Sequence, residues 1–234
     1  MLSKAKTLQA VLEMQKLFPD AHCELDHQTP FQLLIATILS AQATDKGVNK
    51  VTPKLFAIYP NAHALANSEE EVVIECIQSL GLYRNKAKNI RLCAQQLVER
   101  FNGEVPRTRE ELVQLAGVGR KTANVVLSVA FGLPAFAVDT HVERISKRLQ
   151  IVKQSASVLE VEETLCKKLP KDLWGKAHHW MIFFGRYHCT ARKPKCANCP
   201  LLDICAYGQK EVSTKMVGQL SNHFFDLNCD KESI

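Results

Sequence analysis

A chain of 234 residues with 46% apolar residues, 23% charged residues and a net charge of +6 can bury one sizeable core or two modest ones, and its apolar content is that of soluble globular proteins. The basic balance, with a pI near 8.8, permits a polyanionic partner without requiring one. No apolar run reaches bilayer length, and Met1 to Phe18 mixes Lys4, Lys6, Glu13 and Lys16 into an amphipathic pattern, so the expectation is a cytoplasmic protein with no signal peptide and no membrane partner.

A first helix is expected over residues 3–18, with Leu8, Val11, Leu12 and Leu17 on its apolar side and Pro19 ending it. Thr29-Pro30 offers a cap and an N1 proline to a second helix whose stripe is Phe31, Leu34, Ile35, Ile38 and Leu39, running out at Ser40-Ala41-Gln42. Asp45 can cap the next helix, which Thr52-Pro53 should kink or restart. Further helical stretches follow at about 69–79, 84–101 and 108–115. Period-2 alternation is nowhere convincing, so the fold class is all-α.

The stretch Leu115 to Asp139 organises the rest. Gly117-Val118-Gly119 forms a tight turn into a helix over 120–131, a helix-hairpin-helix whose amides and helix N-terminus suit a phosphate oxygen; on the glycines alone an ordinary helix-helix turn is the favoured reading. Lys121 sits in the first turn, where the helix dipole disfavours a cation. Gly132 and Pro134 should stop the helix, and if the extended segment 134–138 doubles back, Asp139 returns near Lys121. Asp139 also reads as the N-cap of a helix carrying Val142, Ile145 and Leu149. The pair is then either a cap with a salt bridge, or an amine nucleophile with its carboxylate.

Of nine cysteines, Cys23, Cys76, Cys93, Cys166 and Cys229 are scattered, whereas Cys189, Cys196, Cys199 and Cys205 fall within 17 residues. In a reducing compartment such a cluster signals a metal centre. Four thiolates suit zinc, but they also suit an iron–sulfur cluster. Arg192, Lys193 and Lys195 lie on the loop between the first two, a solvated basic turn or a phosphate contact. Gln42 and Leu82, in turns between helices, read on their own as a solvated residue and a core contact.

LSAQATD (39–45), GLYRNKA (81–87), NGEVP (102–106), GVGRKTANVV (117–126), VDTHVERISKR (138–148), HHW (178–180) and the four-cysteine spacing together resemble the helix-hairpin-helix Gly/Pro…Asp superfamily of base-excision DNA glycosylases, and in detail the endonuclease III family. The resemblance covers nearly everything up to Tyr207 and departs at Ala116, where the family more often has proline. It implies two helical lobes: a six-helix barrel with the hairpin (23–133), and a discontinuous domain (1–22 and 134–209) carrying a [4Fe-4S] cluster on Cys189, Cys196, Cys199 and Cys205, zinc being the alternative. Residues 210–234 would be a flexible tail.

The partner implied is double-stranded damaged DNA, bound by a monomer associated with the bacterial nucleoid. Gln42 and Leu82 would enter the duplex where a nucleotide is extruded, and Gly117, Val118, Gly119, Arg120, Thr122, Arg192, Lys193 and Lys195 would contact DNA. Lys121 would attack C1′ of an oxidised pyrimidine nucleoside and form a Schiff base, with Asp139 stabilising positive charge; β-elimination would then cut the strand. Three rivals remain. A monofunctional glycosylase of the same fold lacks a lysine at this position, a hairpin module that only grips DNA needs neither Asp139 nor a second lobe, and an electron-transfer protein does not need the hairpin.

Overall fold

The computed structural model describes residues 1–215, and every regular element among them is helical. Two compact units share the chain: residues 22–137 with 171–176, and residues 1–21 with 138–170 and the described residues from 177 onward. The second unit opens with α1 (Lys4–Leu17), capped by the Ser3 hydroxyl. The first contains α2 (Pro30–Leu39), α3 (Asp45–Ile58), α4 (Ala62–Ala66), α5 (Glu70–Ile77), α6 (Tyr83–Phe101), α7 (Arg109–Leu112) and α8 (Arg120–Phe131).

The first unit collapses around α2. Thr29 accepts the Gln32 N–H and Pro30 takes the first helical position, so the start read from the sequence is the one observed. Phe31, Leu34, Ile35, Ile38 and Leu39 are all buried, and α2 packs on α3, α6 and α8. Each such side chain contributes roughly 1.5–3 kcal/mol of transfer free energy. The core continues through Val48, Leu55, Ile77, Ile90, Leu97 and Val126.

Three local expectations change. Thr44, not Asp45, caps α3, because its hydroxyl accepts the Gly47 N–H and Asp45 becomes the first helical residue. Pro53 neither kinks α3 into two nor restarts it; the helix runs on through it. Asn61 caps a short helix, α4, that the sequence reading passed over.

In the other unit α1 packs against α10 (Val158–Lys168), and α10 against α9 (Thr140–Arg148). Lys168 Nζ donates to the carbonyls of Leu2 (2.6 Å) and Ile151 (3.1 Å), tying the first residues to this unit. The unit boundary falls within α11 (Trp174–Phe183), which runs into a π-turn at Phe184–His188. Residues 206–215 are helical, where a flexible tail was expected from 210 onward; the remainder of the expected tail, 216–234, lies outside the described residues. Among the described residues no helix is long and apolar enough to cross a membrane.

Candidate functional site

The two hairpin glycines do different work. Gly117 takes φ +76°, and a Cβ there would meet Ile38 Cγ2 at 2.9 Å and Asn89 Cβ at 3.2 Å, so both conformation and space demand glycine. Gly119 is extended (φ −92°, ψ 176°), and a Cβ on it would meet nothing within 4 Å. What glycine leaves there is an open helix mouth: Gly119 caps α8 without any side-chain bond, and Arg120 and Lys121 are exposed beside it. Orphan N–H groups at the positive end of a 12-residue helix favour an anion.

Val118 is buried beneath the turn and its N–H donates to the Leu115 carbonyl at 3.1 Å. At Ala116 the departure from the family pattern is compensated, since the N–H that proline would lack donates to Gln96 Oε1 at 2.7 Å. That bond holds the turn to α6 rather than loosening it.

Gly132 ends α8 in the left-handed conformation (φ +63°), as its position suggested, and the Leu133 N–H closes on the Leu127 carbonyl. The chain then does double back along α8. Buried Asn124 donates to the Phe136 carbonyl at 2.8 Å and accepts from Arg109 Nε at 2.8 Å, clasping the returning segment to the helix about one turn from Lys121. Lys121 and Asp45 both lie near Cys23: burial pushes the Cys23 thiol up, Asp45 adds to this, and the Lys121 ammonium opposes it.

Gln42 and Leu82 share a signature. Both are exposed, Leu82 at 56%, and both adopt left-handed backbone, φ +53° and +58°. A leucine in that region is uncommon and costs on the order of 1–3 kcal/mol, a strain that the surrounding structure must hold. Leu82 is therefore not the core contact that its apolar character suggested.

Asp139 caps α9, accepting the N–H groups of His141 (2.9 Å) and Val142 (2.8 Å) on Oδ1. It belongs to the second unit, Lys121 to the first. One turn further, Arg144 donates to the carbonyls of Gly185 (2.8 Å) and Cys189 (3.2 Å) and to His141 Nδ1 (3.2 Å). Arg148 donates to Cys189 Sγ (3.3 Å), Thr190 O (2.8 Å) and Ala191 O (2.9 Å), and stacks on Tyr207 with its guanidinium 4.2 Å from the ring centroid. The sequence reading passed over these two arginines; the available signal was their i, i+4 spacing on the helix that leads from Asp139.

Cys189, Cys196, Cys199 and Cys205 line a single cavity, walled also by Leu149, Phe184 and Leu201, and none is in a disulfide. Among the described residues no group of three or more His, Cys, Asp or Glu side chains is gathered closely enough to hold a single metal ion. Burial, and then the neighbouring thiolates, push Cys196 up and Cys199 to about 11; burial likewise raises Cys205, against the Gly208 N–H. Four thiolates can coexist there only around a multivalent cationic group, so the donor set fits an iron–sulfur cluster. Pro194 is buried, while Arg192, Lys193 and Lys195 point to solvent.

Residues 35–171 match the HhH-GPD superfamily of base excision DNA repair proteins, and residues 189–205 match the iron-sulfur binding domain of endonuclease III. The chain therefore carries a [4Fe-4S] cluster domain. It is 58% identical to endonuclease III of Bacillus subtilis over 201 residues, covering 86% of this chain and 92% of that one. With Escherichia coli K12 endonuclease III it shares 46% over 209 residues, 89% of this chain and 99% of the other. A solved structure of a trapped endonuclease III–DNA covalent intermediate superposes with a TM-score of 0.88 at 57% identity, over 91% of this chain and all of that one. On the glycine hairpin, the doubled-back segment, the four-thiol cavity and this identity along nearly its whole described length, the chain belongs to the endonuclease III family.

Proposed function

We propose that this protein is a bifunctional DNA glycosylase and abasic-site lyase of base excision repair that removes oxidised pyrimidines from duplex DNA, working in the cytoplasm as a monomer. One observation carries the reading: an exposed lysine at an uncapped helix mouth, on a helix along which the chain is clasped back three residues before an aspartate. A trapped covalent intermediate with DNA is described for the 57%-identical relative.

In this reading a phosphate oxygen docks on the amides around Gly117, Val118 and Gly119, with Arg120 and Thr122 at the same helix mouth. Gln42 and Leu82 fill the gap left by the extruded nucleotide, offsetting part of an unstacking cost of a few kcal/mol. Lys121, as the neutral amine, attacks C1′; the N-glycosidic bond breaks, and the base departs with the electron pair and takes up a proton. Opening of the sugar gives a protonated imine between Nζ and C1′. Loss of the C2′ proton then expels the 3′ phosphate by β-elimination. Asp139, ionised, stabilises the positive charge that develops on sugar and amine. Cys189, Cys196, Cys199 and Cys205 hold the cluster, which supplies a covalent cross-link for the loop bearing Arg192, Lys193 and Lys195.

Borohydride reduces the imine to a stable secondary amine, so wild-type protein mixed with duplex DNA containing thymine glycol should give a covalent adduct. Lys121→Gln should give none, and an adduct that persists removes this lysine from the chemistry. Asparagine caps a helix about as well as aspartate, so Asp139→Asn should keep the fold while base release falls on the order of 10²-fold or more; near-normal turnover would strike Asp139 from its role.

A further inference from the structure

His188 closes the π-turn that follows α11, and it forms part of the wall of the four-thiol cavity. Its ring stacks on Phe184, another wall residue, with centroids 4.9 Å apart and planes inclined by 23°. The Nε2 atom is buried and has no hydrogen-bond partner among the described residues. A buried polar nitrogen left unpaired is destabilising, which calls for an acceptor that the protein itself does not provide there. Single π-turns recur at functional sites, and this one ends one residue before the first cluster ligand, Cys189.

The cavity is where such an acceptor belongs. A [4Fe-4S] cluster held by four thiolates carries net negative charge spread over its sulfurs, and hydrogen bonds to those sulfurs set how readily it takes up an electron. The chain already aims donors at three of the four thiols. Arg148 Nη1 stands 3.3 Å from Cys189 Sγ, the Leu201 N–H meets Cys199, and the Gly208 N–H stands 3.3 Å from Cys205 Sγ. His188 adds a nitrogen from the wall, and its backbone is held on both sides. The Cys189 N–H donates to the Phe184 carbonyl at 2.7 Å, and the Lys195 N–H donates to the His188 carbonyl at 3.1 Å.

We propose that His188 is a hydrogen-bond donor to the iron–sulfur cluster, its buried Nε2–H meeting a cluster sulfur from the cavity wall, and that this bond raises the cluster's reduction potential. Added negative charge strengthens a hydrogen bond to sulfur, so the reduced form gains more from the donor than the oxidised form does. The stack on Phe184 fixes the plane of the ring, so the bond forms without ordering a mobile side chain. The assignment needs the cluster and not the chemistry at Lys121, and it stands apart from the glycosylase reading.

The test uses cluster-loaded protein whose histidines carry nitrogen-15 in the ring. With the cluster reduced and paramagnetic, electron spin-echo spectroscopy should show a coupled ring nitrogen in wild type and none in His188→Phe, whose ring keeps the stack and lacks the N–H. In voltammetry His188→Phe should move the balance of oxidised and reduced cluster about tenfold toward the oxidised form, a fall of about 59 mV for one electron. His188→Gln, whose amide nitrogen stands about where Nε2 does, should recover most of that shift. A wild-type spectrum without a coupled ring nitrogen overturns the proposal, and this arm decides even where His188→Phe loads no cluster. Coupling that persists in His188→Phe overturns it as well. So does an unchanged potential in that variant, which would make His188 a packing residue that phenylalanine replaces. A wild-type protein that forms no borohydride adduct defeats the glycosylase reading alone.

Discussion

Two glycines two residues apart make opposite predictions. Gly117→Ala forces a left-handed backbone on alanine and drives its methyl against Ile38 and Asn89, so unfolding free energy should fall by about 1–3 kcal/mol, read from urea denaturation. Gly119→Ala meets no protein atom and needs no left-handed backbone, so stability should stay within about 0.5 kcal/mol. Its methyl nonetheless stands at the mouth of α8, and affinity for duplex DNA should drop; an unaffected affinity would mean that no phosphate sits there. His141 gives a pH signature. Burial first, then Arg144 and Arg186, hold its imidazole below 6.5, against Asp139 and the Gly185 carbonyl. As pH falls below about 6.5 the unfolded chain takes up the proton before the folded one, so stability is lost progressively from that pH down to the folded value. His141→Gln should flatten this acid limb of a stability-versus-pH curve.

At the scale of elements, helix boundaries were legible wherever a cap and a stop are coded locally. Thr29-Pro30 opens α2, Gly132 closes α8 and Asp139 opens α9, because each rests on one side chain or one φ angle. Thr44 and Asp45 both suit a cap, and only the three-dimensional turn selects the hydroxyl that reaches Gly47. Pro53 survives on the exposed side of α3 because Val51, Thr52 and Leu55 of the same helix are buried, and their tertiary burial outweighs one lost backbone bond. Arg144 and Arg148 had only their i, i+4 spacing to mark them, since an arginine on a helix reads as solvated until packing turns it inward. Helix α9 begins at its cap, Asp139, and ends on the cysteine loop through Arg148. Arg148→Ala removes bonds to Thr190, Ala191 and Cys189 together with the stacking on Tyr207. The expected result is faster loss of the cluster's visible absorbance under an iron chelator, with α-helical circular dichroism retained. A bleaching rate equal to wild type would show that the cysteines alone hold the loop.

For the whole molecule, a net charge of +6 is modest, so where the cations stand matters more than how many there are. Arg192, Lys193 and Lys195 are exposed on a segment fixed by buried Pro194, by the Lys195 N–H on the His188 carbonyl and by Arg148 at its beginning. A loop so held loses little conformational entropy on binding, and each phosphate it neutralises releases counterions, steepening the fall of log K with log salt by roughly 0.9. Replacing all three by alanine should therefore flatten that slope by about 2 to 3 if each touches a phosphate, while the visible spectrum confirms that the cluster is intact. Leu82→Ala should behave differently: an apolar wedge releases no counterions, so affinity for an abasic-analogue duplex should fall at every salt concentration with the slope unchanged. A slope unaltered by the triple substitution would leave the three cations as solvated charges and move the electrostatic grip elsewhere on the protein.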